Sequence, residues 1–280
     1  MKKNKLPFVI VVGNEKGGAG KTTLSVHLIC GLLDRGLSVS SIDVDSRQHS
    51  LTRYLQNREA YRKSHNENAI LLPQHFLLQN SEKPTIAERE SEEKQNFVRT
   101  LEEAKSAADV IVIDTPGSHT HLSSISHSYA DIVITPLNDS FIDLDVMAKV
   151  DEQGKIVSPS IYSQTIWEQK MARAARDGDS IEWYVTRNRL SSLDARNKRN
   201  VNAALEELSK RIGFKIIPGF SERVIFKELF LQGLTLLDLT KINYDKPFSM
   251  SHVAARQELR DFLKEIGIDE IIATKETLNA

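Results

Sequence analysis

Cysteine is almost missing from this sequence, since Cys30 is the one cysteine in 280 residues. A disulfide within the chain is therefore excluded, and so is a thiolate metal cluster held by one chain alone. Long apolar runs are missing as well, because no stretch reaches the roughly 18 residues that a membrane-spanning helix needs. The apolar run that begins at Phe8 leads directly into a glycine-rich segment, so we interpret it as a first strand and not as a signal peptide. These absences predict a cytoplasmic globular protein without a membrane partner.

Net charge is also nearly absent, at −1 in total, but the charges are unevenly distributed. From Arg187 to Arg199 the sequence carries five basic residues and one acidic residue, Asp194. Such a local excess favours contact with a polyanion. The apolar fraction of 40% suffices for a sizeable core, and no change of composition marks a linker. We therefore predict a single domain over residues 1–280, with an inserted helical segment at about 151–180.

Short runs rich in Val and Ile alternate with helical patterns along the chain. The runs predict strands at Phe8–Val12, Val39–Val44, Val110–Ile113, Ile132–Thr135, Trp183–Thr186 and Phe214–Ile217. Helical patterns cover Lys21–Asp34, Glu88–Ala107, Ala195–Ile212 and His252–Ile266. Nearly continuous apolar strands between helices are typical of a parallel sheet covered on both faces. The predicted fold class is α/β, with a doubly wound and mostly parallel sheet. We interpret Gln56–Glu93 as a helix end, an irregular loop and the start of another helix.

A glycine-rich segment follows the first predicted strand and leads directly into a helix. It matches the phosphate-binding pattern Gly-x4-Gly-Lys-Ser/Thr, except that Glu15 stands in the first glycine position. Glycines let successive N–H groups point inward around phosphate oxygens, and the helix N-terminus adds positive potential. We expect Lys21 to bridge the β- and γ-phosphates of ATP, and Thr22 to bind Mg²⁺. The predicted nucleotide-binding residues of this loop are Glu15, Lys16, Gly17, Gly18, Ala19, Gly20, Lys21, Thr22 and Thr23.

Acidic residues follow two further predicted strands. Asp45 comes just after the second strand, and Asp114 ends the third, three residues before Gly117. Ligands of open α/β sheets bind beyond the carboxyl ends of the strands, where these segments meet the glycine-rich loop. We predict that Thr22, Asp45 and Asp114 support Mg²⁺, that Asp45 orients the attacking water, and that Gly117 donates its N–H to the γ-phosphate. A turn-forming or helix-capping role is the competing interpretation for each aspartate.

The segment KGGAGKT, which contains Lys16 and Lys21, resembles the phosphate loop of the deviant Walker A ATPases, the ParA/MinD family. The resemblance implies a P-loop ATPase that forms a homodimer when ATP is bound. It also implies that Lys16 reaches across this dimer to the partner's phosphates, so that Lys16, Lys21 and Asp45 carry catalysis. A cation from each side would neutralise the negative charge that two nucleotides bring to a shared interface.

The likeness covers most of the chain and is closest to the branch of the family that positions the bacterial division plane. The segments that carry it are Val11–Thr23, Thr135–Asp145, Ser158–Lys170, Arg187–Leu190, Ala195–Arg199 and Arg223–Leu239. The likeness implies slow ATP hydrolysis supported by Asp45, and a contact between Asn188 and adenine. It further implies that the ATP-bound dimer binds DNA without sequence preference, lies on the nucleoid with enrichment near the cell poles, is recruited by ParB and inhibits FtsZ polymerisation.

Arg196, Lys198 and Arg199 form the predicted DNA-binding set, with Arg223 as a further candidate. Such residues would contact phosphates and leave the bases unread. A solvated helix face is the competing interpretation. Two other functions compete: a ParA-type chromosome or plasmid partition ATPase, and a metabolic ligase, which would need a second substrate pocket. A MinD-like membrane switch is disfavoured because residues Glu265–Ala280 hold four acidic residues and one lysine.

Overall fold

The computed structural model describes residues 6–138, 141–150, 156–190, 195–242 and 249–279. The strands are β1 Phe8–Val12, β2 Val39–Asp43, β3 Gln74–Leu77, β4 Val110–Asp114, β5 Ile132–Asn138, β6 Ala148–Val150, β7 Ile156–Pro159, β8 Glu182–Asn188 and β9 Lys215–Ile217. The helices are α1 Lys21–Asp34, α2 Ser50–His65, α3 Ile86–Ala107, α4 His121–Ser128, α5 Phe141–Leu144, α6 Ile161–Asp177, α7 Ala195–Ile212, α8 Val224–Gln232, α9 Met250–Glu265 and α10 Ile268–Asn279. A short 3₁₀ turn covers Asp238–Thr240.

Seven strands form one parallel sheet in the order β3-β2-β4-β1-β5-β8-β9, and β6 pairs with β7 in a separate antiparallel ribbon. β1 lies in the middle of the sheet, between β4 and β5. The chain builds one half of the sheet on each side of β1, so the strand order reverses there. Open α/β sheets bind ligands in the crevice beyond the strand ends at such a reversal. The glycine-rich loop that follows β1 therefore begins at the place where this topology favours a ligand.

The central strands are buried on both faces because helices cover both sides of the sheet. On β1, Phe8, Ile10 and Val12 belong to the core cluster that also contains side chains of α1 and α9. Val9 and Val11 point to the other face and pack with side chains of α3 and α4. This alternation is the period of two that a strand imposes. The predicted doubly wound parallel fold is confirmed. No helix in the described ranges combines the length and apolar character needed to cross a membrane.

All six predicted strands are present, and the four predicted helices begin and end within two residues of the expected positions. The stretch interpreted as irregular between α2 and α3 contains an additional strand, β3. Its four residues lie at the edge of the sheet, and none of them is fully buried. A short, partly exposed strand with polar residues lacks the apolar run that identifies a buried strand. The strands β6 and β7 and the helices α4, α5, α8 and α10 were also not predicted.

The helix predicted at about 151–180 appears as α6 over Ile161–Asp177, but residues 156–159 of that stretch form strand β7, and residues 151–155 lie outside the described part of the chain. Ser160 caps α6, since its hydroxyl accepts a hydrogen bond from the Ser163 N–H. Tyr162 and Ile166 turn into the core cluster that covers one face of the sheet. α6 also packs against α4. The helix is thus part of the layer that covers the sheet between β5 and β8.

Candidate nucleotide site

The glycine-rich loop lies between β1 and α1, at the carboxyl edge of the sheet. Gly18 and Gly20 have φ angles of 75° and 88°, in the left-handed region that other residues adopt only with strain. Gly20 is also the N-cap of α1, and its position provides no side-chain cap. The first N–H groups of α1 therefore remain available to an anion bound in the loop.

The Lys21 ammonium lies inside the loop. Its Nζ donates to the Lys16 carbonyl oxygen at 2.9 Å, and the side chain is buried. Burial lowers the pKa of Lys21, while the charges of Asp114 and Asp45 oppose that shift. A bound phosphate group would add negative charge next to this ammonium and stabilise its protonated form.

Two buried carboxylates meet at the ends of β2 and β4, where Asp43 is in register with Asp114. Asp114 accepts hydrogen bonds from Thr22 Oγ1 and Ser25 Oγ, each at 2.7 Å. Asp43 accepts from the Asp45 N–H at 3.0 Å. Burial, followed by repulsion from Asp43, raises the pKa of Asp114 to about 7. A cation bound beside these groups would relieve that repulsion.

The predicted Mg²⁺ residues Thr22 and Asp114 are thus in direct contact, and Asp45 lines the same cleft. Among the described residues, no group of three or more His, Cys, Asp or Glu side chains is arranged to hold a metal ion by itself. The hydroxyl and carboxylates fit Mg²⁺, because this ion keeps several waters and takes further oxygens from nucleotide phosphates. The individual metal-binding roles stay predictions.

Asp45 lies in the turn between β2 and α2. Its Oδ1 accepts hydrogen bonds from the Arg47 N–H at 3.2 Å and the Gln48 N–H at 3.0 Å. This is a local turn of the kind that aspartate often forms after a strand. Asp45 also lines the cleft together with Lys21 and Gly117. The turn therefore holds Asp45 at the wall of the cleft, and its role in hydrolysis stays a prediction.

Lys16 does not line the cleft, although Gly17 and Gly18 next to it do. Its ammonium forms an ion pair with the buried carboxylate of Asp143, and 36% of the Lys16 side chain is exposed. The Lys16 N–H donates to Asn14 Oδ1 at 2.7 Å. The two lysines of the loop thus have different environments, with Lys21 inside the cleft and Lys16 at the protein surface.

The start of the loop is held by contacts that the sequence did not reveal. Asn14 Nδ2 donates to the Pro136 carbonyl oxygen at 2.6 Å, which ties the loop to β5. Glu15, which we predicted to bind nucleotide, does not line the cleft and instead contacts His119, with 2.9 Å between Oε1 and Nδ1. The Glu15 contact links the loop to the segment that follows β4.

Gly117 approaches the loop from the end of β4. A Cβ at this position would lie 3.0 Å from both the Cα and the N of Gly17. The same Cβ would lie 3.3 Å from the carbonyl carbon of Lys16. Backbone atoms cannot move aside as a flexible side chain can, so the close approach favours glycine. The predicted hydrogen bond from the Gly117 N–H to a γ-phosphate stays a prediction.

The loop, the acidic strand ends and the end of β8 enclose a cleft of about 900 Å³. The predicted residues that line the cleft are Gly17, Gly18, Gly20, Lys21, Thr22, Thr23, Asp45, Gly117 and Asn188. Ala19 belongs to the same loop, but it is buried and does not line the cleft. Lining residues that we did not predict as nucleotide-binding include Arg47, Gln48, Asn80, His119, Arg189, Phe226, Lys227 and Phe230. Placement after a strand end is the signal that could have identified Arg47, Gln48 and His119. Asn80 follows β3, which was itself missed.

The predicted DNA-binding side chains of Arg196, Lys198 and Arg199 lie outside the described part of the chain, although the backbone places them on α7. Arg223 is described, and it lines the nucleotide cleft. Its guanidinium forms a two-point ion pair with Glu258, with 2.9 Å between Nη2 and Oε1. A DNA phosphate would have to compete with this carboxylate for Arg223.

Comparison with known proteins identifies relatives of the whole chain and of parts of it. A family model described as ATPase MipZ matches residues 8–270. ParA from Rhizobium radiobacter is 26% identical over 141 residues, which make up 50% of this chain and 53% of that protein. The match therefore spans about half the length of this curated relative.

Two solved structures share the fold. An ATP complex of a Cyanothece McdA variant has a TM-score of 0.57 and 19% identity, with 90% of this chain and 96% of that chain covered. MinD from Aquifex aeolicus has a TM-score of 0.55 and 17% identity, with 92% of this chain and 96% of that chain covered. At these identities the likeness establishes the fold alone.

Proposed function

Since the chain belongs to the MipZ family of ATPases, we propose that it works as a dimerisation switch that ATP closes and slow ATP hydrolysis opens. The observation that carries this proposal is the contrast between the two lysines of the loop. Lys21 is buried in the cleft, whereas Lys16 is half-exposed beside the cleft and paired with Asp143. A lysine of the phosphate loop whose ammonium does not line its own cleft is well placed to meet the phosphates of a second subunit.

Within one subunit, the proposal assigns binding to the loop and hydrolysis to Asp45. The loop N–H groups and Lys21 would hold the β- and γ-phosphates. Thr22 and Asp114 would hold Mg²⁺, which would supply positive charge that neutralises the phosphates. Asp45, held by its turn, orients the attacking water and accepts its proton. Phosphoryl transfer depends mainly on positioning and charge stabilisation, so these contacts suffice for slow hydrolysis. The residues of one domain, 1–280, carry all these parts.

The finer proposal is that the ATP-bound dimer positions the site of cell division. In it, the dimer binds DNA without sequence preference and lies on the nucleoid with enrichment near the poles. ParB recruits the protein, and the dimer inhibits FtsZ polymerisation. The family match supports this choice. The partial match to ParA favours the alternative, a chromosome or plasmid partition ATPase. Polymerisation of FtsZ with and without the ATP-bound dimer separates the two functions.

DNA binding is tested through the basic residues of α7. Reversing the charges of Arg196, Lys198 and Arg199 together should weaken binding equally for unrelated DNA sequences, because phosphate contacts carry no sequence information. The dependence of affinity on salt should flatten by about 0.9 in log–log slope for each DNA phosphate that no longer meets a basic side chain. ATP binding should stay unchanged. An unchanged DNA affinity would place the DNA-binding surface elsewhere.

The switch itself is tested with two variants that should act in opposite directions. Asp45→Ala should bind ATP and accumulate dimers, because hydrolysis loses its water-orienting carboxylate. Lys16→Ala should bind ATP but stay monomeric, because phosphate charge at the interface lacks its cation. If DNA binding needs two subunits, the first variant binds DNA persistently and the second hardly at all. Multi-angle light scattering with ATP measures the states, and Lys63→Ala, an exposed lysine paired with Glu59, is the control. Monomeric Asp45→Ala, or normal dimers of Lys16→Ala, would contradict the switch.

A further inference from the structure

Asn188 ends β8 and lies directly against the phosphate loop. Its Nδ2 donates to the Ala19 carbonyl oxygen at 3.0 Å. Its Oδ1 accepts from the Arg189 N–H at 2.9 Å. The two contacts together fix the orientation of the amide, because the reverse orientation would place oxygen against oxygen and N–H against N–H. The nitrogen of Asn188 is therefore the atom that faces the loop.

The contact between Asn188 and the loop extends to Gly20. A Cβ built on Gly20 would lie 1.9 Å from Asn188 Nδ2, so any other residue would displace the amide. Gly20 also has a φ of 88° and forms the N-cap of α1. Glycine is thus required here for two reasons, the backbone conformation and the space that Asn188 occupies. The side chain packs against the turn at which the loop becomes helix α1.

The strand end that carries Asn188 is supported from its other side. The Phe220 N–H donates to the Arg187 carbonyl oxygen at 2.9 Å, and the Leu190 N–H donates to the Phe220 carbonyl oxygen at 3.0 Å. Arg189 has a φ of 53°, a left-handed conformation that non-glycine residues rarely adopt unless the surroundings impose it. The backbone on both sides of Asn188 is thus held by β8 and the segment after β9, independently of the phosphate loop.

We propose that Asn188 is a positioning residue for the phosphate loop, in addition to the contact with adenine that the family likeness implies. The peptide unit between Ala19 and Gly20 is planar and trans, so its carbonyl and its N–H point in opposite directions. By holding the Ala19 carbonyl, Asn188 also sets the direction of the Gly20 N–H at the entry to α1. The end of β8 thereby prepares the loop for phosphate before nucleotide binds. This inference rests on the proposed ATP switch and adds a link between the base end and the phosphate end of its cleft.

The decisive measurement is amide hydrogen exchange of the segment 13–23 in the nucleotide-free protein. Asn188→Asp keeps the side-chain volume and an oxygen for the Arg189 N–H, but it places a second oxygen against the Ala19 carbonyl. Exchange in the segment should become about fivefold faster, as expected when one hydrogen bond is removed. Asn202→Ala is the matched control, because Asn202 contacts Arg187 on the same strand end without facing the loop. Unchanged exchange in Asn188→Asp overturns the positioning role.

Binding of ATP and of inorganic tripolyphosphate then separates the two roles of Asn188. Tripolyphosphate has no base, so a residue that contacts adenine alone does not affect its binding. Asn188→Ala should weaken the binding of both ligands by about fivefold. Weaker binding of ATP alone, together with unchanged loop exchange, would limit Asn188 to the base and leave the proposed switch intact. A wild-type protein that binds neither ligand would refute the proposed function, while the exchange data would still decide whether Asn188 holds the loop.

Discussion

Two regions of this molecule bury charged side chains, but the buried charges are compensated by opposite charges to different degrees. In the first region, Arg58 of α2 forms a two-point ion pair with Asp238, with both N···O distances at 2.8 Å. The guanidinium also donates to the carbonyl oxygens of Leu71 at 2.8 Å and Gly233 at 3.0 Å. Burial alone would raise the pKa of Asp238, but the hydrogen bonds and charge of Arg58 lower it overall. We call the pair of Arg58 and Asp238 the buried clamp.

The second region is the phosphate site, where the buried charges oppose one another. Asp43 and Asp114 are adjacent carboxylates, and burial and mutual repulsion raise the pKa of Asp114. Burial also lowers the pKa of Lys21 nearby. Burial is therefore similar in the two regions, but the partners differ in charge. Asp238 pairs with the Arg58 cation, whereas the hydrogen bonds to Asp43 and Asp114 come from neutral hydroxyl and backbone N–H groups. A fully paired charge holds one conformation, whereas an incompletely compensated group gains from a ligand of opposite charge.

Removal of one partner from the buried clamp should cause the largest loss of stability. Arg58→Met leaves the Asp238 carboxylate buried without its cation, so we expect the free energy of unfolding to fall by about 3–5 kcal/mol. Urea unfolding followed by circular dichroism measures this loss. Arg35→Ala is the control, because Arg35 forms an exposed ion pair with Asp269 and should cost less than about 1 kcal/mol. Equal losses in the two variants would remove the distinction between the regions.

The phosphate site should show the opposite pattern, with a loss of binding and little loss of stability. Lys21→Ala removes the buried cation that we propose to hold the phosphates, so ATP affinity should fall by at least about 30-fold. The free energy of unfolding should change little, because Lys21 is incompletely compensated in the nucleotide-free protein. Titration with a fluorescent ATP analogue measures the affinity, and Lys63→Ala provides the control. Affinity near that of the wild type would mean that the loop is only structural.

The carboxylate pair predicts an unusual dependence of stability on pH in protein free of nucleotide and Mg²⁺. Because the pKa of Asp114 is raised on folding, the folded state binds this proton more tightly than the unfolded state. The contribution of the Asp114 carboxyl group to the free energy of unfolding is therefore present at low pH and is lost as the pH rises to about 7. Asp114→Asn cannot ionise, so its stability relative to the wild type should increase by up to about 1.4 kcal/mol per pH unit over that window.

Urea unfolding at several pH values tests this expectation, and Asp109→Asn provides a contrast. Burial alone would raise the pKa of Asp109, but hydrogen bonds from Ser38 and Lys275 lower this pKa overall. Its contribution should be present at neutral pH and lost as the pH falls, the reverse of Asp114. A stability difference between Asp114→Asn and wild type that does not vary with pH would show that folding does not raise the pKa of Asp114.

The ion pair between Lys16 and Asp143 differs from both regions, because the Asp143 carboxylate is buried while the Lys16 side chain is half-exposed. In the proposed switch, Lys16 must leave Asp143 to reach the phosphates of a second subunit. Asp143→Asn weakens this competing contact and should lower the dissociation constant of the ATP-bound dimer by about fivefold or less. Sedimentation with ATP measures it, and Asp145→Asn, an exposed residue in the same segment, is the control. Weaker dimerisation would show that Asp143 supports the dimer and does not compete with it.

The phosphate loop was predictable because its rules are local. Glycines with left-handed backbone, the lysine and threonine at the helix start and the apolar strand before them lie within sixteen residues, Phe8 to Thr23. The Asp45 turn is equally local, since it involves contacts two and three residues apart. β3 was not predictable in this way, because a four-residue edge strand carries too little apolar pattern. Its identity depends on pairing with β2, which lies more than thirty residues earlier.

The sequence by itself determined the parallel α/β fold and the glycine-rich loop that places Lys21 and Thr22 at the start of α1, because periodicity and turn conformation act over a few residues. Tertiary structure decided which distant groups meet. Ser25 reaches Asp114 across 89 positions, Asn188 reaches the Ala19 carbonyl across 169, and Arg58 reaches Asp238 across 180. Such pairs depend on the order of the strands in the sheet and on the crossovers between them. Local sequence patterns do not predict the order of the strands. The charges that meet in the two buried regions could therefore be identified only from the folded structure.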